Sequence, residues 1–181
     1  MIRLIEIDNR ERLMQAFEIQ GLIFPAEGYS AFQNYRESLE MKTSNRYWLL
    51  ESTEENCYVG ISGIYREPCD DESAWLGWFG ILPEFRRKGY ASQALKLFEE
   101  AAKNRGFNCV RLYTDADDIP ARRLYEKMGY TGEDYCCPSD PASIKYQLKI
   151  YSKSLDAHPV KKWNNRNLNL EEQIRKQTTV M

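Results

Sequence analysis

Residues 75–105 read WLGWFGILPEFRRKGYASQALKLFEEAAKNR, and the reading of this stretch decides the fold. Residues 75–82 are aromatic and branched-apolar, the composition of a strand, and Gly77 and Gly80 are two small interruptions where a bulge or a close backbone approach is expected. Pro83 ends the strand. Residues 84–88 form a short basic turn, and from Gly89 the period changes. Ala91, Ala94, Leu95, Phe98, Ala101 and Ala102 recur at helical spacing, with Lys96, Glu99, Glu100, Lys103 and Asn104 facing away, until Gly106 stops the helix.

A strand, a basic glycine-containing turn and a helix N-terminus in succession make an anion site. The first helical N–H groups have no intrahelical acceptor, and the helix dipole favours negative charge there. Arg86, Arg87 and Lys88 add cations, Gly89 lets the backbone approach a ligand, and Ala91 is nearly as small. The ligand expected on these grounds is a phosphate or pyrophosphate. The run Ile81-Leu82-Pro83-Glu84-Phe85-Arg86-Arg87-Lys88-Gly89-Tyr90-Ala91 resembles the acetyl-CoA motif of the GNAT superfamily of N-acetyltransferases. In that motif an apolar-x-Pro strand end leads into Arg/Gln-x-x-Gly-x-Gly/Ala.

Residues 118–130 resemble the family's second motif, Asn-x-x-Ala-x-x-Leu/Phe-Tyr-x-x-x-Gly-Phe/Tyr, with Ala121, Leu124-Tyr125 and Gly129-Tyr130 at the expected offsets. Asp118 stands where Asn is usual, which keeps an acceptor and removes an amide donor. The resemblance covers residues 2–152 and implies a mixed α/β (α+β) fold, a central, mostly antiparallel sheet of roughly six to seven strands flanked by about four helices. Residues 153–181 are a polar, Asn-rich tail. There Asn169 and Glu172 suggest the start of a short helix carrying Leu170 and Ile174, packed on the domain or on a second subunit, or else frayed.

The totals narrow the class of protein. At 181 residues the chain is long enough for a sizeable core, and 25 basic against 27 acidic residues argue against a nucleic-acid-binding module. No apolar run has membrane-spanning length and the N-terminus has no signal-peptide core, so a cytoplasmic protein with no membrane partner is expected. Cys57, Cys69, Cys109, Cys136 and Cys137 show no metal-ligand spacing and read as reduced thiols. His158, the single histidine, lies in the polar tail, which excludes a histidine-based triad.

Around the central stretch, residues 2–7 alternate as a first strand. Asn9 or Asp8 can cap a helix running to about Ile23, residues 24–29 break it, and Ser30 can cap a second helix to Leu39. Residues 47–51 and 57–65 form a hairpin in which Gly60 and Gly63 mark candidate bulges, and residues 67–73, EPCDDES, read as a polar turn into the central strand. Residues 109–114 make the strand after the long helix, closing a βαβ unit. Pro120 opens a further helix with the stripe Ala121, Leu124 and Met128, and residues 130–136 and 144–152 finish the sheet.

What the resemblance implies for roles is specific. The cofactor, acetyl-CoA as co-substrate, is held by Arg86, Arg87, Lys88, Gly89, Tyr90, Ala91 and Ser92, with Ile81 and Leu82 offering backbone groups to the pantetheine arm and Asp118 and Ala121 contributing from the second motif. Tyr125 is the catalytic donor to the departing thiolate. Reference values near 10 for Tyr and 8.5 for a thiol make full transfer uphill by roughly 2 kcal/mol, which points to a strong hydrogen bond or a lowered Tyr pKa. Phe24, Glu27 and Tyr29 are substrate-contact candidates on the amine side, with loop packing as their alternative role. Many relatives carry a Glu where Trp75 stands, so Glu27, Glu67, Glu72, Asp115 and Asp117 remain as candidate bases. The expected activity is transfer of acetyl to a primary amine of a small molecule or peptide, with a homodimer possible and no metal. The alternative is a non-catalytic acyl-CoA-binding or sensing module.

Overall fold

Alternation at the N-terminus yields strand β1 (Ile2–Glu6), and Asn9, in extended conformation, accepts the Arg12 N–H at 3.0 Å to start helix α1 (Arg10–Ile23). A computed structural model of the chain describes residues 1–173. In it follow α2 (Gly28–Leu39), β2 (Arg46–Ser52), β3 (Cys57–Glu67), β4 (Asp70–Ile81), a 3₁₀ turn (Pro83–Phe85) and α3 (Tyr90–Asn104). The chain continues with β5 (Cys109–Asp115), α4 (Ile119–Lys127), β6 (Thr131–Tyr135), α5 (Pro141–Lys145) and β7 (Leu148–Ser154). The strands form a seven-stranded sheet of order β1-β2-β3-β4-β5-β7-β6, with β1–β2, β2–β3, β5–β7 and β6–β7 antiparallel, the mixed α/β architecture expected. The described chain divides into two compact units, residues 1–66 with 75–106, and residues 67–74 with 107–173.

In the first unit α1 and α2 bury Leu13, Ala16, Ile19, Ala31 and Tyr35 together with Leu49 of β2 and Ile61 of β3. On α3 the buried stripe is Tyr90, Ala94, Leu95, Phe98 and Ala102, close to the periodicity read from sequence. The β2–β3 register shifts between Leu50 and Glu51, beside Gly60, so one of the two glycines adjoins a bulge. Gly63 instead stays in register opposite Tyr47, where an added Cβ would lie 2.3 Å from the Tyr47 ring. It is a glycine of close packing, not of irregular backbone. Ser30 does not cap α2. The turn closes earlier, with the Glu27 N–H donating to the Phe24 carbonyl at 3.2 Å, and the helix starts at Gly28 against the Phe17 ring.

The second unit corrects the reading of residues 67–73 as a polar turn. The turn contracts to Pro68 and Cys69, and β4 begins at Asp70. The cause is Arg111 of β5, 2% exposed, whose Nε lies 3.2 Å from the Asp70 carboxylate and donates to Ser73 Oγ at 3.1 Å. Its remaining nitrogens donate to Ser152 Oγ and the Lys161 carbonyl. A buried guanidinium is tolerated only when it is paired and hydrogen-bonded, and this requirement draws acidic residues into a strand.

The tail residues 153–173 pack within the same unit. Trp163, 1% exposed, has the guanidinium groups of Arg111 and Arg166 at 5.4 and 3.9 Å from its ring, and its backbone N–H donates to Glu133 at 2.7 Å. Tyr135 Oη accepts the Leu168 N–H, and Asp140 accepts those of Leu170 and Glu171. Asn164, Asn165 and Asn169 take positive φ, the conformation Asn tolerates best among residues with a side chain, which accounts for the tail's Asn-rich composition. Residues 170–173 are helical and follow Asn169, whereas Ile174 lies outside the described residues. The strand expected from Ile144 starts only at Leu148, because residues 141–145 form α5 and Gln147 turns through positive φ.

Asp70→Asn keeps the shape of the side chain and strips the buried Arg111 of its counter-charge. Urea unfolding should show a loss of about 3–5 kcal/mol, the usual cost of breaking a buried pair from one side; a loss no larger than that of an exposed pair, under about 1 kcal/mol, would contradict the account given of β4.

Candidate active site

Strand β4 ends at Ile81, the 3₁₀ turn closes with the Arg86 N–H donating to the Pro83 carbonyl, and Gly89 enters α3 with φ 81°. Arg87, with a side chain, also takes positive φ, 65°. Side chains cap α1 through Asn9 and α4 through Asp118, but none caps α3, so its first-turn amides have only their own orientation to serve. An added Cβ at Gly89 meets nothing within 4 Å: the backbone there faces open space. Uncapped amides, an open glycine and three cationic side chains fit a pyrophosphate.

The three cations differ in what they can offer. Arg86 Nε donates to the Ile81 carbonyl at 3.0 Å and so pins the strand end. Lys88 pairs with Glu55 at 2.6 Å and lies over the Phe85 ring. The pair holds the Glu55 carboxyl below its ordinary range, first through the Lys88 bond, and raises Lys88. Arg87 is exposed and makes no ion pair among the described residues. The Tyr90 side chain is buried in the core with its hydroxyl on Glu55 at 3.0 Å, which leaves only its amide to a ligand.

At the strand end, the Leu82 N–H donates to Val59 at 2.9 Å and the Ile81 carbonyl accepts from Arg86, so these two groups, expected to serve the pantetheine arm, are committed inside the fold. The irregular backbone falls instead on Trp78, which takes φ 47° inside β4 although glycines stand at 77 and 80. Such a conformation costs about 1–3 kcal/mol in a residue with a side chain. The indole N–H of Trp78 donates to Asn34 Oδ1 of α2 at 2.8 Å, and its ring lies 6.3 Å from that of Phe24. Phe24 is half-buried at the end of α1, while Glu27 at the N-cap of α2 and Tyr29 in its first turn are exposed. Trp75 is fully buried with its ring 6.2 Å from that of Tyr65, and it serves as a core residue.

In the second unit the Asp118 carboxylate accepts the Ala121 N–H at 3.1 Å and caps α4. The acceptor that Asp shares with Asn is thus used, and the Ala121 amide is satisfied within the helix. Tyr125 is the buried residue of α4, 6% exposed, with its ring 5.9 Å from Tyr130 and 5.5 Å from Tyr151. The expected stripe Ala121, Leu124 and Met128 is only half-buried. Burial first, then the charge of Asp118 and the neighbouring Tyr151, push the Tyr125 pKa above its ordinary value. The lowered value entertained from sequence is therefore corrected, since a phenolate cannot be solvated there. Of the candidate bases, Glu67 is buried, Glu72 pairs with Lys161, and Asp115 is raised by burial and then by Asp117 and Asp118.

Sequence reading missed Glu55, Asn34 and the irregularity at Trp78. Only the adjacency of Gly77 and Gly80 hinted at the last. Among the described residues no helix is long and apolar enough to cross a membrane.

The profile of the Acetyltransferase (GNAT) family matches residues 10–130, and the chain belongs to that family. It is 35% identical over 88 residues to the uncharacterized N-acetyltransferase YycN of Bacillus subtilis (strain 168), covering 48% of this chain and 56% of that protein. YdgE of the same organism is 32% identical over 89 residues, covering 49% and 57%. The chain thus spans a little over half the length of these curated relatives. A GNAT-family structure from Desulfovibrio desulfuricans shares the fold with a TM-score of 0.70 at 15% identity, covering 86% of this chain and all of that one. A spermidine N-acetyltransferase from Vibrio cholerae, solved with CoA and spermine, gives 0.65 at 16%, covering 86% and 95%.

Glu55→Gln should let the Lys88 pKa fall back toward the ordinary lysine value, read by NMR titration of the side chain. Because Glu55 is depressed in the folded protein, its contribution to stability is present above the unfolded carboxyl value and lost as pH falls through the folded one. The variant should show less acid-side loss of stability than the parent.

Proposed function

We propose that the chain transfers an acetyl group from acetyl-CoA to a primary amine of a small molecule or peptide by direct attack. The observation that carries this reading is the uncapped N-terminus of α3, reached through positive φ at Arg87 and Gly89 in a chain of the GNAT family. The amides of residues 90–92 and the Arg87 guanidinium hold the pyrophosphate, and Lys88 exchanges its Glu55 contact for phosphate oxygen. Arg86 acts through the strand end it pins.

An N–H of the irregular β4 backbone about Trp78 polarises the thioester carbonyl, where negative charge grows in the transition state. The acceptor nitrogen attacks the carbonyl carbon, the C–N bond forms and the C–S bond breaks. The nitrogen's proton leaves to a carboxylate or water, and the thiolate is stabilised by a hydrogen bond before taking up a proton. Tyr125 supplies that bond. Its raised pKa makes it a donor that keeps its proton, not an acid that delivers it. Asp115, whose pKa burial and then the charges of Asp117 and Asp118 raise, stands with Glu27, Glu67, Glu72 and Asp117 as a candidate base, acting directly or through water. Exposed Glu27 beside Phe24 and Tyr29 suits a cationic acceptor, in keeping with the spermine-bound relative in fold.

The test is CoA release, followed by thiol detection, across polyamines, amino acids, aminoglycosides and short peptides. Turnover with one acceptor class is expected, and Tyr125→Phe should lower kcat by about 10- to 100-fold, the worth of one hydrogen bond to a charged group. Since the Tyr125 pKa lies above 10, kcat should not fall on its account as pH rises to that value. Acetyl-CoA binding without turnover for any acceptor would instead establish the sensing module, and no binding would remove the cofactor assignment.

A further inference from the structure

We infer that Asn34 is a positioning residue for acetyl transfer: by accepting the Trp78 indole N–H it holds β4 in the positive-φ conformation that presents its backbone to the thioester carbonyl. The inference rests on the acetyl-transfer reading above. Trp78 is a costly residue at φ 47°, and glycines at 77 and 80 would have taken that conformation without strain. A strained conformation persists only where its surroundings over-determine it. The indole makes one directional bond, to Asn34 Oδ1 at 2.8 Å, from a residue 44 positions away on α2.

The opposite flank is held by packing. An added Cβ at Gly80 would lie 2.5 Å from Ile23 Cγ2 and 3.1 Å from Phe24 Cε2, so the end of α1 closes directly on the strand, and the Phe24 ring leans on that of Trp78. Within three residues β4 is therefore gripped by α1 through contact and by α2 through a hydrogen bond. Glu27 stands at the N-cap of α2 and Tyr29 lies in its first turn, so whatever occupies the amine side bears on α2 and, through Asn34, on the β4 backbone.

The experiment measures kcat, the KM for acetyl-CoA and the melting temperature for Asn34→Leu, Asn34→Asp, Trp78→Phe, and the pairs Asn34→Leu/Trp78→Phe and Asn34→Leu/Trp78→Gly. Asn34→Leu removes the acceptor at similar size and should lower kcat by about 10- to 100-fold with KM within about twofold, the signature of misplaced reacting groups. Asn34→Asp keeps an acceptor and should retain activity. Trp78→Phe should match Asn34→Leu, and their pair should lose no more than either alone. Glycine at 78 adopts positive φ without a clamp, so Asn34→Leu/Trp78→Gly should recover kcat. A lowered melting temperature with unchanged kcat, or additive losses in the Leu/Phe pair, would overturn the positioning role while leaving acetyl transfer intact. Wild-type protein that binds acetyl-CoA without turnover would overturn the transfer reading and this role with it. Should Asn34→Leu fail to fold, Trp78→Phe alone decides, because it breaks the same bond from the other side.

Discussion

A guanidinium out of water must be met by a carboxylate and by acceptors for its remaining protons, and the second unit is arranged around that constraint at Arg111. Asp70 and Ser73 of β4, Ser152 of β7 and the Lys161 carbonyl of the tail come from three places in the chain to satisfy it. Drawing Asp70 and Ser73 inward turns an acidic stretch into the first part of β4. Drawing in Lys161 brings the tail with it, and Trp163 covers the guanidinium face. The part of the polar tail about Lys161 and Trp163 thus becomes part of a core, because the alternative is a buried charge without partners.

The first unit works under a different constraint, the use of unfavourable backbone where a ligand is expected. Positive φ at Arg87 and Gly89 delivers the chain to α3 with its amides uncapped, and positive φ at Trp78 breaks the regularity of β4. The surroundings hold each in place: Arg86 ties the turn to Ile81, the Lys88–Glu55 pair restrains it from outside, and α1 and α2 grip Trp78. Strain at Trp78 and Arg87, each with its own restraint, is the pattern of a site prepared in advance of its ligand.

Much of this was legible in the residues themselves. The α3 stripe, Asn9 as a cap, Gly89, Gly106 and Gly129 at positive φ and Pro120 in the first turn of α4 all follow from local rules. The reading failed where a residue's state depends on a distant partner. Residues 70–73 have turn composition and sit in a strand because of Arg111. Ser30 has capping chemistry and lies inside a helix because the turn before it closes early. Tyr125, not the stripe of Ala121, Leu124 and Met128, is the residue α4 buries, because Tyr130 and Tyr151 stand ready to pack against it.

By itself the sequence determined the order and kind of most elements and the place of the basic, glycine-bearing turn ahead of α3, since periodicity, capping and glycine's access to positive φ act within a few residues, and its two motifs resembled those of the family to which the chain belongs. Tertiary structure decided where β4 begins, that Trp163, Leu168 and Leu170 of the tail are core, which cation at the turn is already paired, and that the strained residue of β4 is Trp78 and not a neighbouring glycine. Those outcomes depend on desolvation and on partners such as Asn34, 44 residues from Trp78, whose proximity no local pattern encodes.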